Sequence, residues 1–191
     1  MNVPNLITLI RILLVPLFVC VYYAPWAGAN LAAASLFAVA AATDWLDGYL
    51  ARSLNQMTRF GAFLDPVADK IIVVTALVML IGSHASPLLT LPGLVIVGRE
   101  IVISSLRAWM AELNRRGLVE VSLLGKVKTT VQMVALILLL ATPAVPLTPW
   151  VWSGYGLLYV AAALTLWSMI LYLRAAWPTL REGMAPIQQD R

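Results

Sequence analysis

The chain has 191 residues, 61% of them hydrophobic and 12% charged, with a mean hydropathy of +0.87 and a formal net charge of +4. So much apolar surface over-fills any single core of this length, which excludes an ordinary soluble domain and points to an integral membrane protein. The single cysteine, Cys20, excludes an internal disulfide, and the modest positive charge asks for no nucleic-acid partner.

No Asp, Glu, Lys or Arg occurs in 12–43, 71–98 or 129–173. Each stretch is punctuated near its middle: by Pro25 and Gly28, by Pro87, Pro92 and Gly93, and by Pro143, Pro146 and Pro149. A bilayer core about 30 Å thick takes about 20 helical residues. Extended at their charged ends, the stretches predict three helical hairpins. The expected fold is an all-α membrane bundle of six spans, near 5–23, 30–51, 61–82, 92–112, 123–142 and 151–174. The first span lacks a basic leader and contains Arg11, which argues against a signal peptide.

The hairpin tips carry no charge, so all 13 Lys and Arg fall at the opposite helix ends and in the loops there. The positive-inside rule predicts cytoplasmic termini and cytoplasmic loops around 52–60 and 113–122. Trp26, Trp150 and Trp152 then flank outer helix ends, as interfacial aromatics do, while Arg115, Arg116, Arg174 and Arg181 read as headgroup contacts. No soluble domain or strong repeat interrupts the pattern, so residues 1–191 are expected to form one membrane domain.

Into this apolar chain the segment TDWLDGYLARSLNQMTRFGAFLDPVADK brings four aspartates. Asp44 and Asp47, with Gly48 and Ala51, share one helical face; Gly61, Asp65 and Asp69 recur every four residues on the next helix. Charge within a span costs about 2.5 kcal/mol or more, and such groups usually face a bundle interior or a wet cavity. Carboxylates converging across one groove repel each other unless a cation neutralises them. An all-oxygen donor set favours one or two Mg²⁺ or Mn²⁺ ions over zinc. The only histidine, His84, sits at a hairpin tip far from the aspartates. Gly48, Ala51, Gly61 and Ala62 allow close helix packing and leave room for a bulky substrate. Plain helix capping suits Asp44 or Asp65 alone rather than all four, and an ion pathway would need charge in the outer hairpin halves.

The template D-x2-D-G-x2-A-R-x8-G-x3-D-x3-D is filled by Asp44, Asp47, Gly48, Ala51, Arg52, Gly61, Asp65 and Asp69. It resembles the signature of the CDP-alcohol phosphotransferases, integral membrane enzymes of phospholipid synthesis. VPNLITLIRILLVPLF, GREIVISSLRAWMAEL and GKVKTTVQMVAL extend the resemblance along nearly the whole chain, toward the bacterial branch that uses CDP-diacylglycerol and glycerol 3-phosphate. The resemblance implies a two-metal centre on Asp44, Asp47, Asp65 and Asp69, with Asp69 also the general base. It implies CDP-diacylglycerol contacts at Gly48, Ala51, Arg52 and Thr58, and at Asn5 to Thr8 on the first helix. It further implies a homodimer in the bacterial inner membrane, with the active site facing the cytoplasm.

The remaining charges suggest where the acceptor binds. Arg107, Lys126 and Lys128 lie at the charged ends of the fourth and fifth spans, with Arg99 and Glu100 deeper. Arg99 is expected to pair with Glu100 or the aspartate cleft, and it can share a helical face with Arg107. Such a cationic pocket suits an acceptor that bears a phosphate. Glu112 and Glu120 read as solvated partners of the loop cations. Three rival readings remain: the same fold with another phosphorylated acceptor such as inositol phosphate, an aspartate-rich prenyltransferase, and a small cation transporter.

Overall fold

A computed structural model describes residues 3–53, 58–113 and 123–183, with side chains described there except at 3–4, 44–53, 59, 62, 112, 123–124, 126 and 182–183. These residues form six helices: α1 (Val3–Tyr22), α2 (Ala29–Ser53), α3 (Arg59–His84), α4 (Pro87–Glu112), α5 (Leu123–Ala141) and α6 (Pro149–Gly183). Among the described residues there is no strand.

Local chemistry sets the helix ends. Gly28, at φ 106°, turns the chain between α1 and α2, a conformation that suits a residue without Cβ. Thr58 caps α3 by accepting the Gly61 N–H at 2.9 Å. At the far end of α3, Ala85 adopts the left-handed conformation and donates its N–H to Ile81 O. Ser86 then caps α4, with Pro87 in its first turn, where a missing N–H costs nothing.

The second hairpin therefore turns at 85–86, earlier than the expected start of the fourth span at 92. Pro92 and Gly93 lie inside α4, and they do not break it. Gly93 serves packing instead: a Cβ there would sit 2.8 Å from Ile81 Cδ1 on α3. The third hairpin matches its punctuation, since Pro149 opens α6. At 35 residues α6 is about 52 Å long, more than the hydrocarbon core requires, and it continues past the expected end at 174.

Among the described residues, three helices are long and apolar enough to cross a membrane by themselves, over Asn5–Tyr22, Pro87–Ala111 and Pro149–Arg181. The apolar parts of α2 and α5 are shorter, Ala29–Thr43 and Val127–Ala141. Their remaining turns carry Asp44, Asp47 and Lys126, Lys128 stands at the start of the apolar part of α5, and α3 is interrupted by Asp65, Asp69 and Lys70.

Packing differs between the two ends. In the half nearest the hairpin tips all six helices contribute to one core, including Phe18, Phe37, Leu77, Ile96, Leu136 and Leu158. Among the described residues, a second, smaller cluster at the charge-bearing end joins α4 and α6, through Ile103, Leu106, Met110, Tyr172 and Ala176. Along the bundle α1 packs on α2 and α3, α5 lies against α2 and α6, and the backbones of α4 and α5 do not come into close contact among the described residues.

Candidate active site

The polar side chains at the charge-bearing end fall into two groups. The first is a seam between α1 and the start of α3. Asn5, Thr8 and Arg11 recur every three residues, so they follow one face of α1. Thr58 Oγ1 donates to Asn5 Oδ1 at 3.0 Å, Thr8 Oγ1 donates to Asp65 Oδ1 at 2.7 Å, and Arg11 Nη1 lies 2.5 Å from Asp69 Oδ1. Gly61 is what allows this approach, since a Cβ at that position would fall 2.5 Å from Asn5 Oδ1. Thr8 and Arg11 are buried, whereas the Asp69 side chain keeps 40% of its surface exposed. The seam thus holds two carboxylates one helical turn apart and leaves Asp69 facing outward.

The second group lines α4, α5 and α6. Arg99 is buried and forms an ion pair with Glu100, as expected for a guanidinium placed deep in a helix. Arg107, eight residues on, is exposed with its guanidinium 5.7 Å from the centre of the Tyr172 ring, a cation–π distance. Lys128 is buried and donates to Ser168 Oγ at 3.1 Å, and Ser168 in turn donates to Thr165 O at 2.8 Å. Arg99, Glu100 and Arg107 all lie within electrostatic reach of Lys128. Three cations and one carboxylate make this a net positive cluster.

The predicted residues are thus partly assembled. Asn5, Thr8, Thr58, Asp65 and Asp69 meet in the seam; Arg99, Arg107 and Lys128 meet in the cationic cluster. Asp44, Asp47, Gly48, Ala51 and Arg52 occupy the last turns of α2, and their side chains lie outside the described residues, as do those of Lys126 and Glu112. The loop residues Arg115, Arg116 and Glu120 are likewise outside them. Asn5 and Thr8, expected to touch a nucleotide-lipid, are engaged with Thr58 and Asp65.

The donor set suits a hard divalent cation. Asp65 and Asp69 offer only oxygen, and His84 stands about 22 Å along α3 from Asp69. Among the described residues no three His, Cys, Asp or Glu gather in one place, and the two further acids of the template, Asp44 and Asp47, are not among the described side chains.

Sequence reasoning gave no site role to Arg11, Ser168 or Gln132. Arg11 had a signal: it is the only charged residue in the first 43. A lone charge in so apolar a run must find a partner elsewhere in the fold. Ser168 and the buried Gln132 carry no comparable mark, because uncharged polar residues are common in membrane helices.

Residues 1–171 match the family model described as CDP-alcohol phosphatidyltransferase. The chain is 57% identical over 182 residues to a CDP-diacylglycerol–glycerol-3-phosphate 3-phosphatidyltransferase of Pseudomonas fluorescens, covering 95% of this chain and 93% of that protein. Proteins of the same name from Escherichia coli and Salmonella paratyphi A are 55% and 54% identical over 176 residues, covering 92% of this chain and 94% of each relative. With the signature residues on α2 and α3 and a match across most of its length, the chain belongs to the CDP-alcohol phosphatidyltransferase family.

Proposed function

We propose that this protein transfers the phosphatidyl group of CDP-diacylglycerol to glycerol 3-phosphate, giving phosphatidylglycerophosphate and CMP. The observation that carries this reading is the pairing, at one end of the bundle, of an outward-facing carboxylate with a net positive cluster. Full-length relatives at 54–57% identity bear the name of this activity.

In the reaction the acceptor hydroxyl oxygen attacks the β-phosphorus of the donor. A new P–O bond forms, the bond to CMP breaks, and the hydroxyl proton passes to a base. Asp69 is that base: its carboxylate is exposed enough to meet a hydroxyl and is held from behind by Arg11. Asp44, Asp47, Asp65 and Asp69 would hold two Mg²⁺ or Mn²⁺ ions. When bound, these neutralise charge that builds on the phosphoryl oxygens and the departing CMP. Gly48, Ala51 and Arg52 on α2 take the CDP moiety, glycine permitting close approach and arginine offering a forked donor. Asn5, Thr8 and Thr58 support the donor side by fixing α1 against the start of α3. Arg99, Arg107, Lys126 and Lys128 receive the acceptor phosphate, with Arg107 or Lys126 binding it as a charge-assisted hydrogen-bond donor.

The chain is further read as one domain with six spans in a bacterial inner membrane, its termini and site cytoplasmic, working as a homodimer. CMP release from CDP-diacylglycerol, measured with one acceptor at a time, tests the activity. Glycerol 3-phosphate should support turnover. Activity with inositol phosphate in its place would refute the acceptor, and metal flux in liposomes without CMP formation would refute the enzyme.

A further inference from the structure

Arg11 lies near the middle of α1, is 2% exposed, and contacts an aspartate that keeps 40% of its side-chain surface exposed. We propose that Arg11 is a positioning residue for phosphatidyl transfer: its buried guanidinium fixes the orientation of the Asp69 carboxylate that takes the acceptor proton. This rests on the reading of Asp69 as the base.

The asymmetry of the pair is the first reason. The cation is anchored inside the bundle and the carboxylate faces out, so the constraint runs from Arg11 to Asp69. The second is the neighbourhood. The Asn5–Thr58 and Thr8–Asp65 contacts tie α1 to α3 one and two turns before Arg11, so α3 is held in register and the guanidinium meets Asp69 from a fixed backbone. A planar guanidinium that stays protonated imposes more orientation than an ammonium on a flexible stem.

The third reason is energetic. Burying a guanidinium carries a desolvation cost, and well-packed apolar residues often replace buried ion pairs with no loss of stability. Here the loss of the cation would leave Asp69 accessible to water, so the usual penalty for stranding a buried charge is reduced. Arg11 therefore contributes more to where the carboxylate points than to whether the bundle holds. Misplacing a reacting group by about 1 Å can lower a rate about 100-fold.

The test uses full-length protein in detergent micelles, with CMP release, CDP affinity and thermal unfolding measured on each variant. Arg11→Met should lower kcat on the order of 10- to 100-fold, with KM for CDP-diacylglycerol, affinity for CDP and the unfolding temperature little changed. Arg11→Lys should restore part of kcat, since it keeps the charge but loses the planar fork. The Arg11→Met, Asp69→Asn double variant should be no slower than Asp69→Asn alone, because Arg11 acts through that carboxylate. Wild-type kcat in Arg11→Met, or a further loss in the double variant, overturns the proposal. If Arg11→Met does not fold, Arg11→Lys decides: a lowered kcat with unchanged KM and unfolding temperature supports the role, and wild-type kcat refutes it. Near-normal turnover in Asp69→Asn would instead remove the base assignment itself, and with it the role given to Arg11.

Discussion

The two ends of this bundle are held together by different physics. Toward the hairpin tips, alanine, leucine and phenylalanine from all six helices interlock in one core. A Cβ on Gly154 would fall 2.6 Å from Leu139 Cδ2, a measure of how closely α5 and α6 approach there. Toward the other end lie Thr8, Arg11, Arg99 and Lys128, all buried, with Gln132, Thr165 and Ser168 near the helix midpoints. Lipid is as apolar as leucine, so close packing rather than water exclusion binds helices in a bilayer, and the tip half meets that requirement. The charged half pays a desolvation cost for groups that packing does not need, and such a cost marks a working surface. On the proposed function, one half is scaffold and the other is site.

Variants should separate the two halves, the largest effect coming from the seam. Asp69→Asn should lower kcat for CMP release about 1000-fold or more while leaving CDP binding largely intact, since the nucleotide contacts proposed on α2 are not altered. Near-normal turnover would take Asp69 out of the chemistry. In the scaffold, Leu136→Ala opens a cavity at a fully buried position and should cost about 2–5 kcal/mol of stability, read as a lowered unfolding temperature. Both KM values should stay unchanged in the folded fraction; a selective loss of acceptor affinity would break the division into scaffold and site.

Within the site, Arg107→Gln or Lys128→Met should raise KM for glycerol 3-phosphate about 10- to 100-fold, as expected for loss of a charged hydrogen bond. KM for CDP-diacylglycerol should move far less, and equal effects on both would remove the cationic cluster from acceptor binding. The smallest effect belongs to the tips. His84 ends α3 with Nδ1 2.8 Å from Tyr155 Oη and with Nε2 buried and without a hydrogen-bond partner among the described residues. Burial disfavours the imidazolium and holds its pKa below the ordinary 6.5. The unfolded chain therefore binds a proton more readily, so this contribution to stability is complete above about pH 6.5 and fades as pH falls through the folded value. Wild-type protein should lose slightly more unfolding temperature between pH 7.5 and 5.5 than His84→Phe does. Identical pH dependence would show that the ring does not titrate in the fold.

Much of this was legible in the residues themselves. Charge-free stretches with central prolines and glycines predicted three hairpins, and α1, α2, α3 and α5 fall within a few residues of the expected spans. The exceptions have local causes. Pro92 and Gly93 read as a break, yet Pro92 sits just beyond the first turn of α4 and Gly93 fits against Ile81. The end of α6 was misjudged because Arg174 marks where apolarity stops, whereas the helix itself continues to Gly183. The spacing of Asp65 and Asp69 announced their shared face, and of the two partners expected for Arg99, Glu100 or the aspartate cleft, the fold pairs it with Glu100.

Composition and periodicity could give the helix count and the aspartate stripes, and point to a membrane protein, because each depends on residues near one another in the chain. Contacts between residues more than 40 positions apart leave no such local trace. That Arg11 reaches Asp69, that Thr8 gives its hydroxyl to Asp65, and that α4 and α6 share a small hydrophobic cluster are matters of how rigid helices pack. A lone arginine in an apolar run announces that it needs a partner; only the tertiary structure names which one.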